Sequence, residues 1–342
     1  MSEYVVTNAA SSGIRLDRET FKRVTERRDL PGLIWLAQWA LGLGCTTALV
    51  WMTLETAWVW PAMFIHGVML CVPAYALSHE TCHATPFRSR WLNESLHWLS
   101  HLIYLEEPLH RRYTHTNHHS YTWYVGKDCQ MPFDTPVGIG GWLIEASGLG
   151  LLRFHLIVMW RLLTRRYGKV MLEVCPPDKL PKMTRNAWIY CAIYAGVGGL
   201  IAYGVMWPLW FVVLPRLLGA PVMLLFTVPQ HMEMQENSPS VMESTRSYMP
   251  SWLGRWMYMN MNHHIGHHLY IQVPFHALPE LEQALKDQLP APDPGFLQTN
   301  WELFVVALRR SMGLSTKAPT VRQAPHMITE GGSFEPVARR TM

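Results

Sequence analysis

Charge is scarce in this chain. Only 16% of its 342 residues are Asp, Glu, Lys or Arg, and 49% are hydrophobic, against roughly 25% charged in an average soluble domain. A soluble chain of this size would need more charge to cover its surface, so the deficit points to a polytopic membrane protein. Six cysteines (Cys45, Cys71, Cys82, Cys129, Cys175 and Cys191) show no C-x-x-C spacing. That excludes a fused rubredoxin or zinc ribbon and argues against a disulfide framework. There is no His-Pro-Gly-Gly haem motif and no Gly-rich dinucleotide fingerprint. The net charge of +4, with no long basic run, gives no footing for nucleic acid. The first 31 residues hold six Lys/Arg but no apolar h-region, so no cleaved signal peptide is expected.

Long apolar runs are what the chain has instead. A membrane span needs roughly 20 apolar residues at about 1.5 Å rise each. Four runs qualify: Leu33 to Leu54, Ala57 to Leu77, Ala187 to Val205 and Pro208 to Val228. They pair into two hairpins whose tips, "ETA" and "MWP", carry no Lys or Arg. The N-terminal arm and segment 79–186 are rich in both, so the positive-inside rule puts the tips outside and both termini in the cytoplasm. Gly138 to Leu163 is long enough to cross but holds Glu145, Arg153, His155 and Arg161. Each such charge costs about 2.5 to 3.5 kcal/mol at the bilayer centre, so this segment reads as an interfacial helix or one packed on the cytosolic part. Ser95 to Leu105 is too short to cross.

The expected fold is therefore an all-α, polytopic membrane protein with four transmembrane helices in two hairpins and a cytosolic helical cap. Its parts are a cytosolic arm (1–31), hairpin one (32–78), a cap (79–186), hairpin two (187–229), a second cytosolic segment (230–290), and a C-terminal helix with a flexible tail (291–342). Within the last, Trp301 to Met312 reads as an amphipathic helix.

Histidine carries the chemistry. Of the 17 histidines, most fall in two windows, 79–119 and 231–276, both on the expected cytoplasmic side. "HETCH" gives His79 and His83, "HTNHH" gives His115, His118 and His119, and "HIGHH" gives His264, His267 and His268. Residues three and four apart share a helical face, so each cluster can aim its imidazoles at one region. Taken alone, "HETCH" is H-E-x-x-H, the zinc-protease pattern in which the glutamate is a general base. Eight imidazoles exceed what one tetrahedral zinc can use, and the number points to two metal ions.

These three clusters, in this order and beside two helical hairpins, resemble the histidine boxes of the membrane-bound fatty acid desaturase superfamily. "HHLYIQVPFHALPEL" looks like the segment after the third box of bacterial acyl desaturases, and "VPQHME" like the stretch where His231 would be a further ligand. The resemblance runs over roughly residues 57–285. It implies a non-haem pair of iron ions held by His79, His83, His115, His118, His119, His264, His267 and His268, with His231 the ninth. It further implies O2 as co-substrate, a lipid or other hydrophobic substrate, and a separate electron donor of ferredoxin, rubredoxin or cytochrome type with its reductase. The enzyme would sit in a membrane (the inner one, if bacterial) with its metal site on the cytoplasmic face. His263 stands where an aromatic residue is commoner.

Three functional readings compete. The first is an acyl desaturase. The second is a diiron hydroxylase or monooxygenase of an alkane, aromatic or lipid on the same scaffold, which the ligand set does not separate from the first. The third is a zinc protease or metal transporter, which leaves two boxes unexplained or puts the ligands in the wrong place. Around the boxes, His97, His101, His110 and His276 read as packing or ligand-supporting residues, and His66 as a hydrogen-bonded core residue. Asp128, Glu233, Glu236 and Glu80 are expected to orient ring N–H groups. Asn262 either holds a metal-bound water or bonds neighbouring backbone. Arg216, inside the fourth run, needs a partner or must snorkel. Arg88, Arg90, Arg111, Arg112, Arg165 and Arg166 are candidates for docking an acidic donor.

Overall fold

The computed structural model describes residues 13–131 and 135–316. The first 12 residues of the expected arm and most of the expected tail lie outside the described residues. What is described is mostly helical, as the composition implied.

Helix α1 (Arg18–Val24) starts at Asp17, whose carboxylate accepts the Thr20 N–H at 2.8 Å. Helices α2 (Asp29–Thr53) and α3 (Val59–Cys82) form a hairpin. Both are apolar around their whole circumference, as helices surrounded by lipid or protein must be. Helix α4 (Arg90–Tyr104) turns back across α3 and stops at Leu105 in the left-handed region (φ 55°). Helix α5 (Pro108–Ser120) opens with proline and is capped by Glu107, which accepts the His110 N–H at 2.6 Å.

Segment 138–163 departs from the single interfacial helix expected of it. It forms α6 (Ile139–Ser147) and α7 (Leu149–Leu163), bent by 66°. The break falls at Gly148, which adopts φ 81°, a conformation that only glycine takes without strain. The bend also disposes of the unfavourable charges. Glu145 and His155 are buried against protein while Arg153 and Arg161 stay exposed. The short α8 (Lys169–Val174) leads to α9 (Leu180–Ala202) and then to α10 (Leu209–Gln230), whose first turn is a π-turn.

Three helices, α2, α3 and α10, are long and apolar enough to cross a membrane. Helix α9, the expected third span, has the length at 23 residues, but its first turns carry Lys182, Arg185 and Asn186. The bent pair α6–α7 also passes a combined test of length and apolarity.

Helices α3 and α10 touch backbone to backbone. A Cβ added at Gly67 would lie 1.9 Å from the Pro215 carbonyl oxygen, and one at Gly219 would lie 2.0 Å from the Gly67 carbonyl carbon. Small residues at such crossings are how helices pack where no hydrophobic effect drives them together. His66, one level away, bonds the Thr46 hydroxyl at 2.8 Å and the Phe211 carbonyl at 3.0 Å, so it is the hydrogen-bonded core residue anticipated. Arg216 on α10 donates to the Ile103 carbonyl and lies 5.9 Å from the Tyr104 ring centroid, which answers its need for a partner. Trp58, Trp60 and Trp207 are exposed near helix ends, where interfacial anchors belong.

After α10 the chain folds over the helix ends through α11 (Val241–Ser244), β1 (Tyr248–Met249), α12 (Trp252–Met257), α13 (His264–Leu269) and α14 (Leu278–Ala284). Strand β2 (Asp293–Pro294) pairs in parallel with β1, and α15 (Phe296–Ser311) closes the described chain. Arg246 staples this layer down. It is buried, sits 2.6 Å from an Asp293 carboxylate oxygen and donates to the Pro229 and Met232 carbonyls on either side of His231.

Candidate metal centre

Helix α3 runs past its expected end at Leu77 and delivers His79 within its last turn and His83 just after it. Helix α5 carries His115, His118 and His119, and α13 carries His264, His267 and His268. His231 follows α10 directly. These four places converge. His79, His83, His115, His119 and His267 bring one nitrogen each within 4.8 Å of one another, and His118, His231, His264 and His268 do the same beside them.

Helical geometry explains how residues divide between the two groups. At about 100° per residue, positions i and i+4 diverge by about 40°, while i+3 falls on the opposite side by about 60°. Accordingly His115 and His119 point into the first group and His118 into the second. On α13, His264 and His268 serve the second group and His267 the first. The groups adjoin, with the His119 and His268 ring centroids 4.2 Å apart.

Several inner nitrogens face one another, and four outer nitrogens face acceptors, while His264 Nδ1 meets the Gln230 amide nitrogen at 3.2 Å. His115 Nε2 is 3.1 Å from both His83 Nε2 and His119 Nε2, and His264 Nε2 is 3.1 Å from both His231 Nε2 and His268 Nε2. On the far sides, His118 Nδ1 meets Asp128 at 2.8 Å, and His231 Nδ1 the Ser244 carbonyl at 2.9 Å. His115 Nδ1 meets Gln130 at 3.1 Å, and His268 Nδ1 the Thr122 hydroxyl at 3.1 Å. Glu80 lies between two rings of the first group, 3.5 Å from His79 Nδ1 and 4.0 Å from His267 Nδ1. Outer acceptors that hold the proton on Nδ1 leave Nε2 as a free lone pair, the arrangement of metal-ligating histidine. His79 and His267 each have both ring nitrogens buried without a hydrogen-bond partner.

Burial foremost, with neighbouring imidazoles and cationic side chains adding to it, lowers the affinity of these rings for protons. His83 and His231 are pushed down to about 3, and His115, His119, His264, His267 and His268 also fall well below 6.5. At neutral pH these rings are the uncharged form that binds metal. A buried, neutral all-imidazole cluster with clustered lone pairs fits transition-metal ions. It does not fit a packed apolar core, which would strand those nitrogens.

A third cluster, Cys82, His97 and His101, has ligand-type atoms within 4.8 Å of one another. Two of its members are already satisfied otherwise, while His101 Nε2 is buried without a hydrogen-bond partner, 3.8 Å from Glu106. His97 meets the Thr81 hydroxyl at 3.0 Å and the Pro108 carbonyl at 2.9 Å, and the Cys82 thiol bonds the Ser78 carbonyl. His110, His263 and His276 also lie outside both main groups. Asn262 donates to the Tyr248 carbonyl at 3.1 Å, so it bonds neighbouring backbone.

Other expectations need correcting. Glu233 orients no imidazole: both its oxygens bind the Arg310 guanidinium, at 2.7 and 2.8 Å. Glu236 bonds no histidine among the described residues. Arg111 offers no exposed cation for docking, since its side chain is only 11% exposed and reaches the Tyr75 hydroxyl and Glu106. Arg112 pairs with Glu94. Gln130, Thr122 and the Ser244 carbonyl carry no periodic signal, because the first two lie in irregular segments and Ser244 ends the four-residue α11. Only Gln130 had a pointer, in its closeness to Asp128.

Against this geometry, a sequence model of the family "Fatty acid desaturase" matches residues 67–300. No curated protein matches the chain.

Proposed function

The chain belongs to the fatty acid desaturase family, and on that premise we propose that it is an O2-dependent oxidoreductase that takes hydrogen from the acyl chain of a lipid, using two iron ions. The family itself carries the oxidoreductase class, the lipid substrate and the membrane setting; the iron pair and the reaction are our reading. The observation that carries it is the pair of adjoining, buried imidazole groups, in which His115, His118, His231 and His268 have acceptors on their outer nitrogens.

His79, His83, His115, His119 and His267 would hold one ion, and His118, His231, His264 and His268 the other. When bound, such a pair supplies the redox chemistry that activates O2 against an unactivated C–H bond. The residues around it do the rest. Nine uncharged imidazoles would leave the positive charge of bound ions uncompensated by the ligands themselves, and Asp128 and Glu80 are the nearby carboxylates that would balance it. Asp128 holds the Nδ1 proton of His118 and so fixes its tautomer. The rings are buried where α3, α5 and α13 meet, which would keep water from the reacting groups. Electrons would come from a ferredoxin, rubredoxin or cytochrome-type protein with its reductase. Of the candidate docking cations, Arg88, Arg90, Arg165 and Arg166 are exposed. We place α2–α3 and α9–α10 as two membrane hairpins with the site on the cytoplasmic face.

The test is direct. Purified protein should carry one iron per group, hence two per chain, and His118→Ala or His267→Ala should lose metal. Lipids extracted from expressing cells should contain species lighter by two hydrogens. A product heavier by one oxygen would establish the hydroxylase reading instead, and stoichiometric zinc without iron would refute the diiron site.

A further inference from the structure

Where the N-terminal end of α2 meets α12 and the segment before α13, a cavity of about 420 Å³ opens between the helices. That is within the range of small-molecule sites, roughly 300 to 1,000 Å³. It belongs to neither metal group. Its walls are aromatic: the Trp35 centroid lies 6.2 Å from Trp256 and 6.4 Å from Phe275. The indole N–H groups are spent elsewhere, Trp35 on the Trp256 carbonyl at 2.9 Å and Trp256 on Gln38 at 2.8 Å. The rings of Trp35 and Trp256 therefore offer apolar surface and no donors.

Its polar groups are few. Arg255 lines the cavity and has no carboxylate partner among the described residues; its guanidinium reaches only the Met249 sulfur, at 3.5 Å. His263 lines it too, 5% exposed, with Nδ1 buried and unpartnered because the nearest Glu282 oxygen is 3.9 Å away. Arg255, a cation with no carboxylate partner among the described residues, at the end of an aromatic cleft suits a ligand with anionic oxygen on an apolar body.

The position in the fold says where such a ligand comes from. Trp35 lies early in an apolar helix, and Leu33, Ile34, Trp252 and Leu253 around the cavity are exposed. That is the rim expected where hydrocarbon meets water. We propose that this cavity binds the anionic head, carboxylate or phosphodiester, of an acyl amphiphile. Arg255 grips the anionic oxygens, and the rings of Trp35, Trp256 and Phe275 cover the first methylenes. His263 immediately precedes His264 in the chain, so a head held here is held by the same segment that places the second imidazole group. The inference rests on the acyl-lipid reading above and specifies its substrate class.

Photolabelling tests it. Full-length protein in lipid nanodiscs is exposed to three probes with a diazirine beside the head: a fatty acid, a phosphatidylglycerol and the corresponding fatty alcohol. Adducts are then mapped by mass spectrometry. At least one anionic probe should label Trp35 or residues 252–263, and the alcohol should not. Arg255→Gln should lower that labelling about tenfold or more, the scale of losing a charge-assisted hydrogen bond, while Arg255→Lys retains most of it. Adducts elsewhere, labelling by the alcohol equal to that by the anions, or labelling indifferent to Arg255→Gln in a protein of unchanged iron content would each overturn the proposal. The acid–alcohol comparison uses unaltered protein and decides even if Arg255→Gln fails to fold. Labelling requires neither iron nor turnover. A chain that labels as described but binds no iron refutes the diiron reading alone, and a chain that desaturates lipid but labels elsewhere refutes this site alone.

Discussion

Replacing Asp128 with asparagine changes almost nothing in size and should still loosen one metal and spare the other. The Asp128 side chain is fully buried. One oxygen accepts from His118 Nδ1 at 2.8 Å and from the Trp123 N–H at 2.9 Å, and the other from the Gln130 N–H at 2.8 Å. Burial opposes its charge, but His118 and the two backbone donors prevail and hold the carboxyl below its usual 3.8. Asparagine can satisfy only one side. With its oxygen toward His118, its NH2 meets the Gln130 N–H, donor against donor. Flipped, its NH2 faces His118 Nδ1, which must then accept and moves the ring proton to Nε2, the nitrogen needed for metal.

Either way a buried polar group loses its partner, at about 1–3 kcal/mol. Loss of such an outer partner typically weakens metal binding by about 10- to 100-fold, and at about 1.4 kcal/mol per tenfold the two scales agree. Because His118 belongs to the second group, that ion should leave first. Titration with a chelator, followed by iron analysis, should show the variant passing through one iron per chain at chelator concentrations where the parent retains two. Circular dichroism should be unchanged. Equal chelator resistance in the two proteins would refute the argument that Asp128 fixes the His118 tautomer.

Glu80→Gln should leave iron bound and reduce product formation about tenfold without abolishing it, since the carboxylate lies between His79 and His267 instead of acting on water; complete loss with metal retained would indicate a direct chemical role. His97→Gln should lower the unfolding free energy by about 1–3 kcal/mol, by freeing the Thr81 hydroxyl and the Pro108 carbonyl, while the iron count stays the same; a drop in iron would mean that the Cys82 cluster holds metal. Gly67→Ala places a methyl group against the Pro215 carbonyl, so the folded monomer peak in size-exclusion chromatography should be largely lost, and a normal peak would mean that α3 and α10 can separate cheaply. Acid should destabilise the fold: burial pushes His101, His110 and His263 down to about 4 from 6.5 in the unfolded chain, so their contribution is complete above 6.5 and falls as pH drops toward 4. A denaturation midpoint that is flat across that window would contradict it.

The spacing of the three boxes picked out eight imidazoles and the resemblance added His231, and the structure gathers these nine rings into two groups, because a helix turns i, i+3 and i+4 toward one side whatever surrounds it. Apolar run length also marked the hairpin α2–α3 and helix α10. What stayed hidden depends on tertiary contacts. Nothing in Glu233 announces Arg310, which lies 77 residues away, and Arg111 reads as a surface cation until Tyr75 and Glu106 close over it. The break at Gly148 was hard to see because "ASGLGL" holds two glycines in an apolar run long enough for one helix. Helix α3 overran its expected end because Ser78, Glu80 and Thr81 are polar by type yet buried, so a hydropathy boundary fell where the helix itself did not stop.

The pattern H-x-x-H-H carries more than a ligand count. If each box served a single ion, three boxes would make three separable sites, and losing one helix would spare the other two. Here α5 gives two rings to the first group and one to the second, and α13 gives one to the first and two to the second. Neither group is complete until both helices are in place, and the first also needs the end of α3. Filling either site therefore draws on the packing of segments more than 140 residues apart in sequence, such as Thr122 and His268, which are 3.1 Å apart. Binding free energy in such a centre is folding free energy for the whole cap. A box moved as a unit to another helix would lose this property, because the division between i+4 and i+3 only has meaning when two helices face one another across the two imidazole groups.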